Sequence, residues 1–216
     1  MKTIRLLATV LLVGLTIGCA SISYKPSLSL GTSPSSVHAR VQMNQLADAS
    51  PPDEKETKFA GFAATEPGTL AGDLATEVTN ALLTDFSNNQ VFDTIQKRMT
   101  NPDLVMNGTI HRFYAQSGIN ALGWSTVWMD FIWLFGLPIQ SQYGAVDIEL
   151  TLQRPDGTTL GTYHGKSEFS ESFSMYTNIQ LAIGTRLNKA FDEAVGQIRS
   201  QLMNDTDKLA ARTDAH

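Results

Sequence analysis

From Val146 to Gln153 apolar and polar residues alternate without a break, with Val146, Ile148, Leu150 and Leu152 set against Asp147, Glu149, Thr151 and Gln153. A strand, with its side-chain period of two, places such a run with one face in a core and the other in water. Pro155-Asp156-Gly157 follows as turn chemistry, and Thr159 to Phe169 returns as the hairpin partner. A hairpin with one apolar face must be covered by a second layer, so the rest of the chain is read for what covers it.

Two helical patterns answer. Leu70, Leu74, Val78 and Leu82 recur at four-residue spacing beside Ala71, Ala75 and Ala81. Thr69 reads as an N-cap, Asp73 suits the first turn, and Asn88-Asn89 ends the run. Thr177 reads as the cap of a longer helix, whose buried stripe is Ile183, Leu187, Phe191, Val195, Ile198 and Leu202. Ala190 and Ala194 permit close approach, while Arg186, Lys189, Asp192, Glu193 and Gln197 are assigned to water.

Further strands come from Val37, Ala39, Val41 and Met43, which alternate with His38, Arg40, Gln42 and Asn44, from Val91 to Ile95, and from Leu104 to Ala115 after an Asn101-Pro102-Asp103 turn. His38 falls on the polar face as a solvated strand histidine, and Gly108 points to a bulge or close packing. Asp48 to Gly68 reads as a mobile loop pinned by Phe59 and Phe62, or as a loop hiding a short strand near Phe59. The expectation is an α+β single layered domain over residues 37–205. It has a mostly antiparallel sheet of about four to five strands and two main helices on one face. Residues 206–216 read as a flexible tail.

One segment does not fit this scheme. Ala121 to Ile139, ALGWSTVWMDFIWLFGLPI, is an aromatic-rich apolar insertion holding all three tryptophans, Trp124, Trp128 and Trp133, with Phe131 and Phe135. As a helix it would be apolar nearly all round, which implies burial or an apolar environment. Asp130 near its middle and its modest length argue against a lone transmembrane helix. Three fates stay open: a crossover helix in the core, an arm dipping into a lipid interface where tryptophan is favoured, or a partner contact.

The amino terminus sets the location. Lys2 and Arg5 precede an apolar run from Leu6 to Ile17, which reads as a secretory signal over residues 1–18. It ends in Thr16-Ile17-Gly18-Cys19, and Cys19 is the only cysteine. These residues resemble the bacterial lipoprotein signal. That resemblance implies cleavage before Cys19, acylation of Cys19 (palmitate among its chains) and, with Ala20 rather than Asp following, an outer-membrane destination. Thr16 stands where the family usually has Leu. Ser21 to Ser36 is rich in Ser, Pro and Gly, so residues 19–36 read as a tether. With its thiol used, the domain has no disulfide and relies on its core. The net charge is −5, with no basic run, which disfavours nucleic acid as a partner.

The order from Leu70 to Leu202 also resembles a domain of outer-membrane accessory lipoproteins. These are the curli-secretion type, the penicillin-binding-protein activators and the amino-terminal domain of the Tol-system propeller protein. ALLTDFSNNQVFDTI (Ala81 to Ile95), NPDLVMNGTI (Asn101 to Ile110) and VDIELTLQRPDGTTLGTYHGKSEF (Val146 to Phe169) carry the resemblance. It implies a fold and a cell-envelope setting and brings no catalytic residues.

Signs of chemistry are sparse. His164 and Glu168 share a strand face about 13 Å apart, too far for a dyad. Asp147 and Glu149 read as a solvated face, and no metal-ligand or phosphate-loop motif is present. The expected protein is a non-enzymatic, lipid-anchored outer-membrane lipoprotein facing the periplasm, without cofactor or metal. It would act as an accessory or assembly subunit of an envelope complex, with an envelope protein or a second copy as partner. Trp124, Trp128, Phe131, Trp133 and Phe135 would form the membrane or partner contact. The alternative is a periplasmic carrier of lipid or another apolar ligand, with the same stretch lining a pocket.

Overall fold

The computed structural model describes residues 23–58, 61–121, 124, 136–174, 176, 179–207 and 209. Its strands are β1 (Val37–Met43), β2 (Ala47–Asp48), β3 (Phe62–Ala63), β4 (Phe92–Gln96), β5 (Leu104–Ile119), β6 (Gln140–Gln153) and β7 (Thr159–Phe173). Its helices are α1 (Pro52–Lys55), α2 (Leu74–Asn88) and α3 (Ile179–Asn204). The expected signal, residues 1–18, and Thr177, the expected cap of the long helix, lie outside the described residues.

The strands form one seven-stranded sheet in the order β4-β1-β5-β6-β7, with β2 and β3 also paired to β5. The expected mostly antiparallel sheet of about four to five strands is therefore corrected. β1 runs parallel to both β4 and β5, and β2 runs parallel to β5, so the sheet is mixed. The class remains α+β, with a third, four-residue helix beside the two long ones.

Stagger explains how parallel neighbours arise here without a long crossover. β4 pairs with β1 from Val37 to Gln42, whereas β5 begins opposite Val41 and continues past the end of β1. Residues 97–103 therefore need only step sideways across β1, where parallel pairing normally demands a helical return. Asp103 fixes that step by accepting from the Arg40 backbone N–H and guanidinium at 2.8 Å each, while the Asp103 N–H donates to the Arg40 carbonyl.

The core lies between the sheet and the two long helices. From β5 and β6 come Leu104, Met106, Ile110, Phe113, Val146, Ile148, Leu150 and Leu152, all fully buried. Phe86 of α2 and the whole expected stripe of α3, Ile183 to Leu202, meet them. Phe113 and Phe191 pack edge to face with centroids 5.2 Å apart. α2 begins later than its pattern implies. Asp73 is the N-cap, accepting from the Thr76 N–H at 3.0 Å, while Leu70 stays outside the helix and bridges to Tyr24.

Two segments expected to be irregular are organised. Within residues 48–68, α1 and β3 form, and the short strand lies at Phe62 (Phe59 is outside the described residues). The described part of the expected tether, residues 23–36, runs extended along the groove between α2 and α3. Tyr24 is buried there, and its hydroxyl donates to Asn188 Oδ1 at 2.8 Å. Ser29 donates to Asp192 through its backbone N–H and hydroxyl, and Arg199 donates to the Gly31 carbonyl at 2.7 Å. Leu28 and Leu30 pack on the core. At the other terminus Leu209 is buried and its N–H donates to the Asp205 carbonyl.

Candidate functional site at the aromatic end of the sheet

The insertion leaves the sheet through a closed neck. β5 and β6 stay paired to Ile119 and Gln140. Asn120 extends the closure: its backbone N–H donates to the Ile139 carbonyl at 3.0 Å and its side-chain amide to the Pro138 carbonyl at 2.7 Å. The Asn120 carbonyl accepts from the Trp124 N–H at 3.0 Å. Residues 121–138 are thus an excursion between adjacent antiparallel strands, so the connection is not a crossover. Gly136, at φ 69°, re-enters through the left-handed region that suits glycine.

Around this neck the apolar surface is wet. Trp124 is 47 % exposed, Leu137 38 % and Tyr176 65 %, and these are the large hydrophobic side chains exposed among the described residues. Tyr176 stands beside Gly136, with its ring 3.8 Å from where a Cβ there would sit. Phe173, opposite Gln140 at the end of β7, lies under the Arg186 guanidinium at 4.2 Å, and Arg186 pairs with Glu171. Of the residues expected to make the contact, Trp124 is placed at this end. Trp128, Phe131, Trp133, Phe135 and the lipidation residue Cys19 lie outside the described residues.

The opposite face of the sheet holds the polar groups in which chemistry would be sought. Arg112 is its hub: it donates to Glu54 at 2.7 Å, Glu168 at 3.0 Å and the Tyr114 hydroxyl at 2.9 Å. The hydrogen bond to Glu54 raises the Arg112 pKa, and burial raises that of Tyr114. The Lys166 ammonium lowers that of Glu168. Gln116, buried, donates to the carbonyls of Asp53, Glu54 and Glu56 and accepts from the Tyr143 hydroxyl. These bonds clamp α1, which buries no residue of its own, onto β5. The arrangement satisfies polar groups with one another, as a structural clamp does.

His164 contacts Asp147 at 2.7 Å across the hairpin. The sequence reading did not pair them, and the register shows why: His164 stands opposite Glu149 and Asp147 opposite Lys166, so the contact is a diagonal one. Arg112, Glu54 and Gln116 left no local signal, because the bonds that join β5 to α1 span more than fifty residues. Among the described residues, no three His, Cys, Asp or Glu side chains are placed to hold a metal ion.

No family model matches the chain, and no curated protein matches it. Among solved structures it is similar to a Xanthomonas campestris protein with the family model DUF330. The TM-score is 0.49 and the identity 10 %, over 89 % of this chain and 99 % of that one. An uncharacterized protein matches with TM-score 0.40 and 12 % identity over 85 % and 99 %. A Caulobacter crescentus protein provisionally described as a lipoprotein matches with TM-score 0.32 and 13 % identity over 53 % and 73 %.

Proposed function

We propose that the chain is a non-enzymatic outer-membrane lipoprotein, acylated at Cys19 and facing the periplasm. It serves as an accessory or assembly subunit of a cell-envelope complex, and the aromatic arm of residues 121–139 is its contact. The observation that carries this reading is the exposed cluster of Trp124, Leu137 and Tyr176 around a hydrogen-bonded neck. Exposed apolar surface of this kind marks an interaction site on a soluble fold. The finer kinship expected from the sequence, to the curli-secretion, penicillin-binding-protein-activator or Tol types, belongs to the same proposal. No helix among the described residues is long and apolar enough to cross a membrane, so a lipidated cysteine is the anchor the reading requires.

The test joins a mass measurement to a capture. The mature amino terminus, released from outer membranes, is expected to have the mass of an acylated Cys19. The tagged protein is expected to bring down an envelope protein in fixed ratio, and Trp124→Glu with Leu137→Glu to reduce that recovery at least tenfold while the protein stays folded. Recovery of the protein alone, in soluble form and loaded with lipid, would replace this reading with the carrier.

A further inference from the structure

Three alignments taken in turn fix where the anchored end of the chain leaves the domain. The first is that of α3 on β7, which are antiparallel. Gln201 brackets His164, Gln197 brackets Lys166, Glu193 accepts from Ser167, and Arg186 reaches Glu171 and Phe173. The start of α3 therefore lies at the end of the sheet where β7 finishes opposite Gln140. That is the end with the aromatic neck.

The second alignment is that of the amino-terminal segment on α3, which are parallel. Tyr24 and Ser27 bond Asn188, Ser29 bonds Asp192, Gly31 is held by Arg199, and Ser33 and Ser35 reach Met203. Followed backwards, the segment runs towards the first turns of α3. Tyr24 sits so close to Gly184 that an added Cβ there would be 3.2 Å from its ring. Gly184 is about 8 Å along the helix from Ile179.

The third is the same direction in α2. Tyr24 exchanges backbone hydrogen bonds with Thr69 and Ala71 just before α2 begins, and Lys25 reaches Glu77 in its first turn. The segment before α2 is tied to the neck end as well, because β3 pairs with Gln116 and Ser117 near the end of β5. The chain thus emerges at the aromatic end, with Cys19 four residues before Ser23 and a reach of at most about 14 Å from it.

We infer that the aromatic end of the domain seats in the same lipid surface that holds the acylated Cys19, with Trp124, Leu137 and Tyr176 in the headgroup boundary and the long axis of the sheet directed away from the membrane. The inference rests on the lipoprotein reading and names what that exposed cluster meets first. With the anchor held this short, the acyl chains enter the bilayer on the side of the domain that carries the cluster, whether or not a protein partner is present. Tryptophan and tyrosine favour that boundary, where an amphipathic ring has one apolar and one wet side. A short tether also makes the second contact effectively intramolecular, which strengthens a weak interfacial site.

The chain carries its own probe, because all three of its tryptophans fall between residues 121 and 139. The full-length acylated protein is reconstituted into vesicles of phosphatidylethanolamine and phosphatidylglycerol, with and without bromine on the acyl chains, and its tryptophan emission is compared. Emission is expected to fall at least twofold in the brominated vesicles. Leu137→Glu with Tyr176→Glu, still acylated, still vesicle-bound and with unchanged circular dichroism, is expected to lose most of that quenching. Equal emission of the acylated wild-type protein in both vesicles would overturn the inference and leave the anchor intact. An unacylated Cys19 in the mass spectrum would instead remove the lipoprotein reading, so the two failures are told apart.

Discussion

Arg199 and Asp85 face each other across the groove between α2 and α3 at 3.5 Å, their side chains 10 % and 2 % exposed. Burial raises the Asp85 pKa, and the Arg199 charge and the Asn89 hydrogen bond only partly offset it. A carboxyl whose pKa is higher folded than unfolded binds more protons when folded. Its stability contribution is therefore complete below the ordinary aspartate value and is lost as pH rises through the raised one. Replacing Arg199 by Leu leaves that carboxylate buried without its cation and is expected to cost about 3 kcal/mol at neutral pH. Urea unfolding checks this, and the deficit should shrink as pH falls towards the ordinary aspartate range, because a carboxyl with a raised pKa takes up its proton earlier on the way down. An equal deficit throughout would mean that Arg199 matters only through packing and its bond to the Gly31 carbonyl. Neither residue stands out in the sequence, because each sits on a helix whose apolar stripe dominates the pattern, and more than a hundred residues separate them.

At the scale of elements, the edge of β7 shows that periodicity reads the faces of a helix but not the bonds its polar face makes. The apolar stripe of α3 is buried as its spacing predicts. Gln197, assigned to water and exposed as expected, also accepts from the Lys166 N–H at 3.0 Å and donates to the Lys166 carbonyl at 2.8 Å, and Gln201 does the same for His164. These amides occupy backbone groups that an edge strand would otherwise offer to another chain. Contact this close requires Gly165, where an added Cβ would lie 2.0 Å from the Ala194 carbonyl oxygen. Gly165→Ala should force α3 off the sheet and cost about 3 kcal/mol, lowering Tm by roughly 5–10 °C. A thermal melt decides it, and an unchanged Tm would mean the helix can shift freely. The outer parts of β5, β6 and β7 escaped the sequence reading for a related reason. Gln116 to Ile119, Gln140 to Ala145 and Ser170 to Phe173 are largely polar or small, so no apolar alternation marks them, and the ladder continues regardless. β2 and β3, two residues each, are too short to carry a period at all.

For the whole molecule, the α+β class was legible because two helical stripes and a strict hairpin leave few ways to layer them. The parallel half of the sheet was not, since it depends on the stagger of β4 and β5 along β1, a long-range offset with no local signature. The same limit applied to the amino-terminal segment, whose Ser, Pro and Gly content matches both a free tether and an extended strap. Backbone hydrogen bonds to Thr69 and Ala71, the buried Tyr24 and the bonds to Asn188, Asp192 and Arg199 make it a strap over the described residues. Such a segment should behave as part of the cooperative unit. A chain starting at Val37 is expected to be less stable than one starting at Ser23 by at least the burial of one large aromatic side chain, about 2–3 kcal/mol. Tyr24→Ala alone should reproduce much of that loss. Both are read from urea midpoints at matched slopes. If the shorter chain kept its midpoint, the strap would be a loosely laid tether, and the domain would be free to turn about its anchor. A large loss would mean that the chain is held on the domain as far back as the strap is described, because the residues that hold it are the same ones that close the core between α2 and α3.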